Sequence, residues 1–212
     1  LISIELGAGA FDEAKKVLEE LKQIHPESQL GMIRSGDIFV AEGHLDDAMT
    51  SYVRAWSIGV DDRLGQKLYE VYQRLDKSDK ARQLLAQWRA AIPMSVPAMV
   101  NHAIQLAADD SIQAALAAYE AFLKVRPDSI VIRNNLAWLY LESGRYNKAV
   151  EVSKEAYELM PTGGAVADTY GWALFKKGDI AEAISVLKLA VKLLPNDKIQ
   201  AHLDEAVSAD KK

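Results

Sequence analysis

The sequence contains no cysteine, so disulfide bonds and thiolate metal sites are excluded. No run of about 18 apolar residues occurs, so we expect no membrane-spanning helix. Positive charge is not in excess either, because 25 Lys and Arg stand against 30 Asp and Glu, for a net charge of −5. Nucleic-acid-binding proteins usually present a basic face, so this balance argues against a nucleic-acid partner.

Proline is scarce, but its placement is regular. Pro93, Pro127, Pro161 and Pro195 follow one another at one constant interval, and Pro26 precedes Pro93 by one such interval plus one that is a single residue shorter. Each proline follows an apolar segment of helical periodicity, as expected of a residue that cannot continue a helix. A fixed period of about 34 residues predicts a stack of repeated helical units instead of a single globular core.

Two further residue classes recur in the same register. A small residue stands at Ala14, Ala48, Ala81, Ala115, Ala149 and Ala183. Five residues earlier, a turn-forming residue stands at Gly9, Gly43, Asp76, Asp110, Gly144 and Gly178. Glycine and aspartate suit a helix end that reverses through a left-handed residue. Each repeat is therefore predicted to be a helix, a short turn, a second helix and a proline-marked link.

This register divides the chain into one array without independent domains. The predicted segments are a truncated repeat one (1–28), repeat two (29–61), an irregular repeat three (62–95), repeats four (96–129), five (130–163) and six (164–197), and a capping helix and tail (198–212). Repeat three carries Asp76 in the glycine slot and bulky Trp88 in a small-residue slot, so we expect a local distortion there. Asp197 is expected to cap the last helix. Leu1 and the residues after it read as the end of a helix, so we expect the chain to be a fragment of a longer protein.

Residues 134–146 (NNLAWLYLESGRY) and 169–180 (TYGWALFKKGDI) are the clearest copies of the repeat. They resemble the tetratricopeptide repeat, whose leucine, small, aromatic and glycine slots they match, and the resemblance extends over essentially the whole chain. It implies an all-α, right-handed superhelical stack of helix pairs, an α-solenoid, in which the first helices line a concave face. It also implies a scaffold that binds a protein or peptide partner.

No catalytic constellation accompanies the repeats. The histidines fall in different repeats without ligand spacing, and no nucleophile stands beside a base. Gly7-Ala8-Gly9 and Gly163-Gly164 follow segments predicted to be helices and not strands, so neither is predicted to hold a phosphate. We therefore predict a non-enzyme without a cofactor or metal.

The predicted concave face carries the candidate site. Helical i, i+4, i+7 spacing places Asn134, Trp138 and Leu141 on one face, and a second such set follows one repeat later. The full candidate set is Asn134, Asn135, Trp138, Leu141, Asp168, Trp172, Phe175 and His202. Exposed tryptophans would be strong contact residues for a ligand. The alternative is that the final helix, through Ile199, His202 and Leu203, covers them, or that they pack between repeats.

The amino-acid sequence of the last two repeats also resembles that of bacterial tetratricopeptide lipoproteins of exopolysaccharide export and exosortase systems. That resemblance implies a periplasmic protein tethered to the outer membrane within a secretion assembly. Two alternatives stay open. In the first alternative, the chain binds a polysaccharide directly, and Trp138 and Trp172 stack on its sugars. In the second alternative, the chain is a cytoplasmic regulatory domain of a larger protein.

Overall fold

The computed structural model describes residues 11–109 and 111–211, without the side chains of Phe11 and Lys22. This part of the chain forms twelve α-helices and no strand. The helices are α1 (Phe11–Ile24), α2 (Gln29–Glu42), α3 (Leu45–Ile58), α4 (Asp62–Arg74), α5 (Ser78–Ala91), α6 (Val96–Ala108), α7 (Ile112–Val125), α8 (Ile130–Glu142), α9 (Tyr146–Leu159), α10 (Gly164–Lys177), α11 (Ile180–Leu193) and α12 (Asp197–Asp210). The predicted all-α stack of helix pairs is confirmed. The first helix of repeat one and Gly9 lie outside the described residues, as does Asp110.

The helices end where the periodic residues predict. The prolines at 26, 93, 127, 161 and 195 each stand two residues after the end of a second helix. Gly43, Gly144 and Gly178 have φ of 82°, 70° and 104°, which is the left-handed region that favours glycine. Asp76 takes the same region, with φ of 53°, and no other non-glycine residue of the described segments does so. The turn chemistry therefore follows the repeat even where glycine is replaced.

The last helix starts one residue earlier than predicted. The Asn196 side chain accepts a hydrogen bond from the Ile199 N–H at 3.0 Å, so Asn196 and not Asp197 caps α12. Asp197 lies inside the first turn, where its negative charge is favourable near the positive end of the helix dipole.

Contacts divide the chain into two compact bodies, Leu1–Ala98 and Met99–Lys212. In the N-terminal body, α1 to α5 pack successively against one another. Its core includes Trp88, which is fully buried. Gly65 makes room for that ring, because a Cβ at Gly65 would lie 2.6 Å from Trp88 Cε2. The residue expected to distort repeat three is thus accommodated by a glycine on the facing helix.

In the C-terminal body the first helices are neighbours. Helix α8 contacts α10, and α10 contacts α12. Helix α12 therefore takes the place that the first helix of another repeat would take. That the whole chain unfolds as one cooperative array stays a prediction.

The alanines that follow the turns lie at helix crossings and are fully buried. Ala183 packs beside Tyr170 and Leu174. We expect Ala183→Leu to overpack this crossing and to lower the free energy of unfolding by about 1–3 kcal/mol. Ala181→Leu, at an exposed position of the same helix, is the matched control. Thermal melts that are identical for the two variants would contradict the assigned register.

Candidate functional site

Three polar residues form a row across neighbouring first helices of the C-terminal body. Asn134, Asp168 and His202 follow one another at equal intervals in the sequence and lie on α8, α10 and α12. Since α8 contacts α10 and α10 contacts α12, the same position of each helix recurs on one surface. We call this surface the first-helix face.

His202 joins the two candidate tryptophans. Its imidazole stacks on Trp172 with 4.1 Å between ring centroids and 17° between planes. It also lies against Trp138 at 5.9 Å and 40°. His202 Nδ1 is 2.7 Å from Asp168 Oδ1, and the Asp168 carboxylate is buried. All four residues belong to the candidate set predicted from the sequence. In the structure, His202 contacts each of the other three.

Lysine ammonium groups of the same chain lie over both tryptophan rings. Lys198 Nζ is 4.3 Å from the Trp138 ring centroid, and Lys176 Nζ is 4.2 Å from that of Trp172. Lys176 also lies over Phe175 and is 3.3 Å from a carboxylate oxygen of Glu205. These distances are within the range of cation–π attraction. Neither lysine was predicted as part of the site.

The predicted site residues differ in how much surface they offer. Trp138, Trp172 and Phe175 are half-buried, and α12 covers part of both tryptophans through His202. Leu141 and Asp168 are only 8% and 5% exposed. These two therefore support the face from beneath and contribute almost no contact area of their own.

The two asparagines have different surroundings. Asn134 Oδ1 is buried and has no hydrogen-bond partner among the residues that the structure describes. Asn135 hydrogen-bonds the Tyr119 hydroxyl group. Burial raises the pKa of Tyr119 to about 12, and the Asn135 contact opposes that rise.

A groove of about 300 Å³ lies beside Trp138, between α6, α7 and α8. Its lining residues are Ala103, Ile104, Ala107, Tyr119, Asn135, Trp138, Leu139 and Glu142. Ile104 is 55% exposed although it is a large apolar residue. Sequence reasoning included Asn135 and Trp138 but missed Glu142, which could have been found from its i+4 spacing to Trp138. Tyr119 comes from the second helix of another repeat, and no local spacing points to it.

The N-terminal body holds an ionic cluster that joins its first helices α2 and α4 and includes Tyr52 of the second helix α3. Asp37 Oδ1 accepts hydrogen bonds from Tyr52 and from Lys67, both at 2.7 Å, and Asp37 Oδ2 accepts from Arg34 at 2.9 Å. These partners satisfy both carboxylate oxygens, so the cluster holds repeats two and three together and leaves no free carboxylate for chemistry.

In the described part of the chain, no group of three or more His, Asp or Glu residues is arranged to hold a metal ion. None of the helices there is both long enough and apolar enough to cross a membrane.

The contact between His202 and the tryptophans should be visible in solution. We expect His202→Ala to lower the free energy of unfolding by about 1–3 kcal/mol, because it removes the stacked ring and leaves buried Asp168 without this partner. Tryptophan emission should shift to longer wavelength as the rings become wetter. Gln200→Ala, on the exposed side of α12, is the control. If His202→Ala and Gln200→Ala had the same melting temperature and the same emission spectrum, the contact would be ruled out.

Comparisons with known proteins agree with this architecture. The family model described as tetratricopeptide repeat matches residues 106–152 and 141–203. No curated protein matches the chain.

Among solved structures, the chain is similar to yeast Tom70, with 15% identity and a TM-score of 0.76 over 93% of this chain and 43% of that one. It is similar to PilW, a type IV pilus biogenesis factor, with 17% identity and a TM-score of 0.70 over 95% and 94% of the two chains. It also matches a chain of the APC/C hetero-tetramer Cut9–Hcn1, with 17% identity and a TM-score of 0.68 over 95% of this chain and 40% of that one. The chain thus spans less than half the length of Tom70 and of the Cut9–Hcn1 chain.

Such likeness shows the fold alone, and the family model adds the repeat type for residues 106–203. With its constant repeat period, left-handed turns and paired helices, the described chain is an all-α stack of helix pairs, and residues 106–203, a little under half of the sequence, match the tetratricopeptide repeat, a repeat typical of scaffolds for protein–protein interaction.

Proposed function

We propose that this chain is a non-catalytic scaffold that binds a peptide or protein segment on the first-helix face of its C-terminal body. The observation that carries the proposal is the groove beside Trp138. It combines a largely apolar lining with an exposed Ile104 and the half-buried ring of Trp138. Concave sites with an apolar lining and a few polar groups are typical of ligand binding, and buried aromatic anchors carry much of the energy of protein interfaces.

We further propose that the binding takes place in a bacterial envelope assembly for exopolysaccharide secretion. Support comes from the amino-acid sequence of repeats five and six, which resembles that of lipoproteins in such systems. The fold likeness to a type IV pilus biogenesis factor is consistent with this setting. A cytoplasmic regulatory domain is the alternative, and subcellular fractionation separates the two.

Direct polysaccharide binding is less well supported by the geometry. A polysaccharide would stack on both tryptophans, but His202 and Lys176 lie over Trp172, and only the part of Trp138 that lines the groove is left beside His202 and Lys198. A peptide side chain entering the groove needs only the part of Trp138 that lines it.

Site-specific photo-cross-linking tests the proposal. A photoreactive phenylalanine at position 104, introduced into the full-length protein in its native cell, should form an adduct with one partner protein. The same probe at Leu159, which is 51% exposed on α9, is the control. Equal labelling from the two positions, or none from position 104, would reject the groove as the binding surface. An adduct found only in the cytoplasmic fraction would reject the envelope role and keep the binding role.

A further inference from the structure

The groove beside Trp138 has an uneven distribution of charge. Ala103, Ile104, Ala107 and Leu139 make most of its lining apolar, and Glu142 is the one ionisable carboxylate among its lining residues. No lysine or arginine of the described residues lines it. The groove therefore offers a long side chain an apolar wall together with a negative charge.

Glu142 is available to a ligand. It is exposed at the end of α8, and no ion pair holds its carboxylate among the described parts of the chain. Its i+4 spacing places it one helical turn beyond Trp138 on the same side of α8. A cation placed against Trp138 in the groove would therefore also be near this carboxylate.

Both tryptophans of the first-helix face already contact an ammonium group of this chain. Lys198 lies over Trp138 and Lys176 over Trp172, at 4.3 Å and 4.2 Å from the ring centroids. The negative π face of an indole attracts ammonium and guanidinium groups. Lys198 does not line the groove, so the part of Trp138 that does is left for a cation from outside.

We propose that the groove is a binding site for an arginine or lysine side chain of the partner segment. The aliphatic part of that side chain packs on Ile104 and Ala107, and its charged head lies between the Trp138 ring and the Glu142 carboxylate. Such amphipathic side chains bury their stems on apolar surface while the head keeps polar partners. Arginine fits best, because its planar guanidinium both stacks on an aromatic ring and pairs with a carboxylate in a fork geometry. This inference rests on the proposed function and names the chemistry that the partner must supply.

Titration of the ¹⁵N-labelled chain with short peptides tests it, with the Trp138 indole N–H signal as the reporter. The probes are blocked heptapeptides of sequence Gly-Ala-Leu-Xaa-Leu-Ala-Gly, where Xaa is arginine, its neutral isostere citrulline, norleucine or glutamate. We expect the arginine peptide to shift the Trp138 signal and to bind about tenfold more tightly than the citrulline peptide. The glutamate peptide should bind most weakly.

A pair of variants isolates the carboxylate. Glu142→Gln should weaken binding of the arginine peptide about threefold to tenfold and leave that of the norleucine peptide unchanged. Glu151→Gln, an exposed carboxylate on the second helix α9, should leave both unchanged.

The outcomes separate this inference from the proposed function. Norleucine or citrulline binding as tightly as arginine, or an unaffected Glu142→Gln variant, overturns the cation site and leaves peptide binding standing. A Trp138 signal that moves with protein concentration alone would mean that a second copy fills the groove, which also overturns it. If no peptide perturbs Trp138 and cross-linking from position 104 also fails, both proposals fall.

Discussion

Trp88→Ala is expected to lower the free energy of unfolding of the N-terminal body by about 3–5 kcal/mol. The ring is fully buried, packs edge-on against Trp56 at 6.3 Å, and donates a hydrogen bond from Nε1 to Asp62 Oδ1 at 2.9 Å. Its removal leaves a cavity and an unpaired partner at the contact between α4 and α5. Chemical denaturation followed by circular dichroism measures the loss. Trp56→Ala, at a half-buried position, should have a smaller effect.

A second substitution tests the physical cause. Gly65→Ala should destabilise the wild-type chain, because the new Cβ would lie 2.6 Å from the Trp88 ring. In the Trp88→Ala background the same change should stabilise, since the clash is gone and alanine is the better helix former by about 1 kcal/mol. This reversal of sign is expected only if the glycine exists to make room for Trp88. Additive effects in the double-mutant cycle would contradict the size match.

Asp37→Ala is expected to cost about 2–4 kcal/mol of stability. The Asp37 side chain is only 9% exposed and accepts hydrogen bonds from Tyr52, Lys67 and Arg34. Without it, the buried Tyr52 hydroxyl group loses its acceptor and two cations lose their counterion. Burial, and next the Asp37 charge, raise the pKa of Tyr52 well above its ordinary value, so this hydroxyl stays protonated as a donor.

The chain contains a matched control for this cluster. Asp46 pairs with Lys77 at the same distance of 2.7 Å, but the Asp46 side chain is 74% exposed. Asp46→Ala should therefore change the free energy of unfolding by about 1 kcal/mol or less, because exposed ion pairs are screened by water and salt. Comparable losses for Asp37→Ala and Asp46→Ala would show that burial does not strengthen the Asp37 cluster.

The fold could be predicted because its determinants are local and repeated. A proline two residues beyond a helix end, a left-handed residue at a turn and an alanine at a crossing each act through backbone geometry or steric size. The same requirement recurs once in every repeat at a nearly constant interval, so even Asp76 could be assigned to its turn from the register alone.

The candidate site could be predicted only in part. Spacing placed Trp138 and Trp172 on equivalent helix positions, because they share the period. It could not show that His202 stacks against both of them or that Lys176 and Lys198 lie over their rings. Those contacts depend on side-chain conformations and on how closely α8, α10 and α12 approach.

By itself, the sequence determined the helical repeat, its register and its turns, since each is set by residues close together in the chain. Only the tertiary structure decided which residues from different repeats meet. Gly65 makes room for Trp88, Asp37 joins Lys67, and Glu142 shares a groove with Ile104. These pairings arise because packing selects among many partners that satisfy the same periodic pattern, and the choice depends on volume, charge and burial across neighbouring helices.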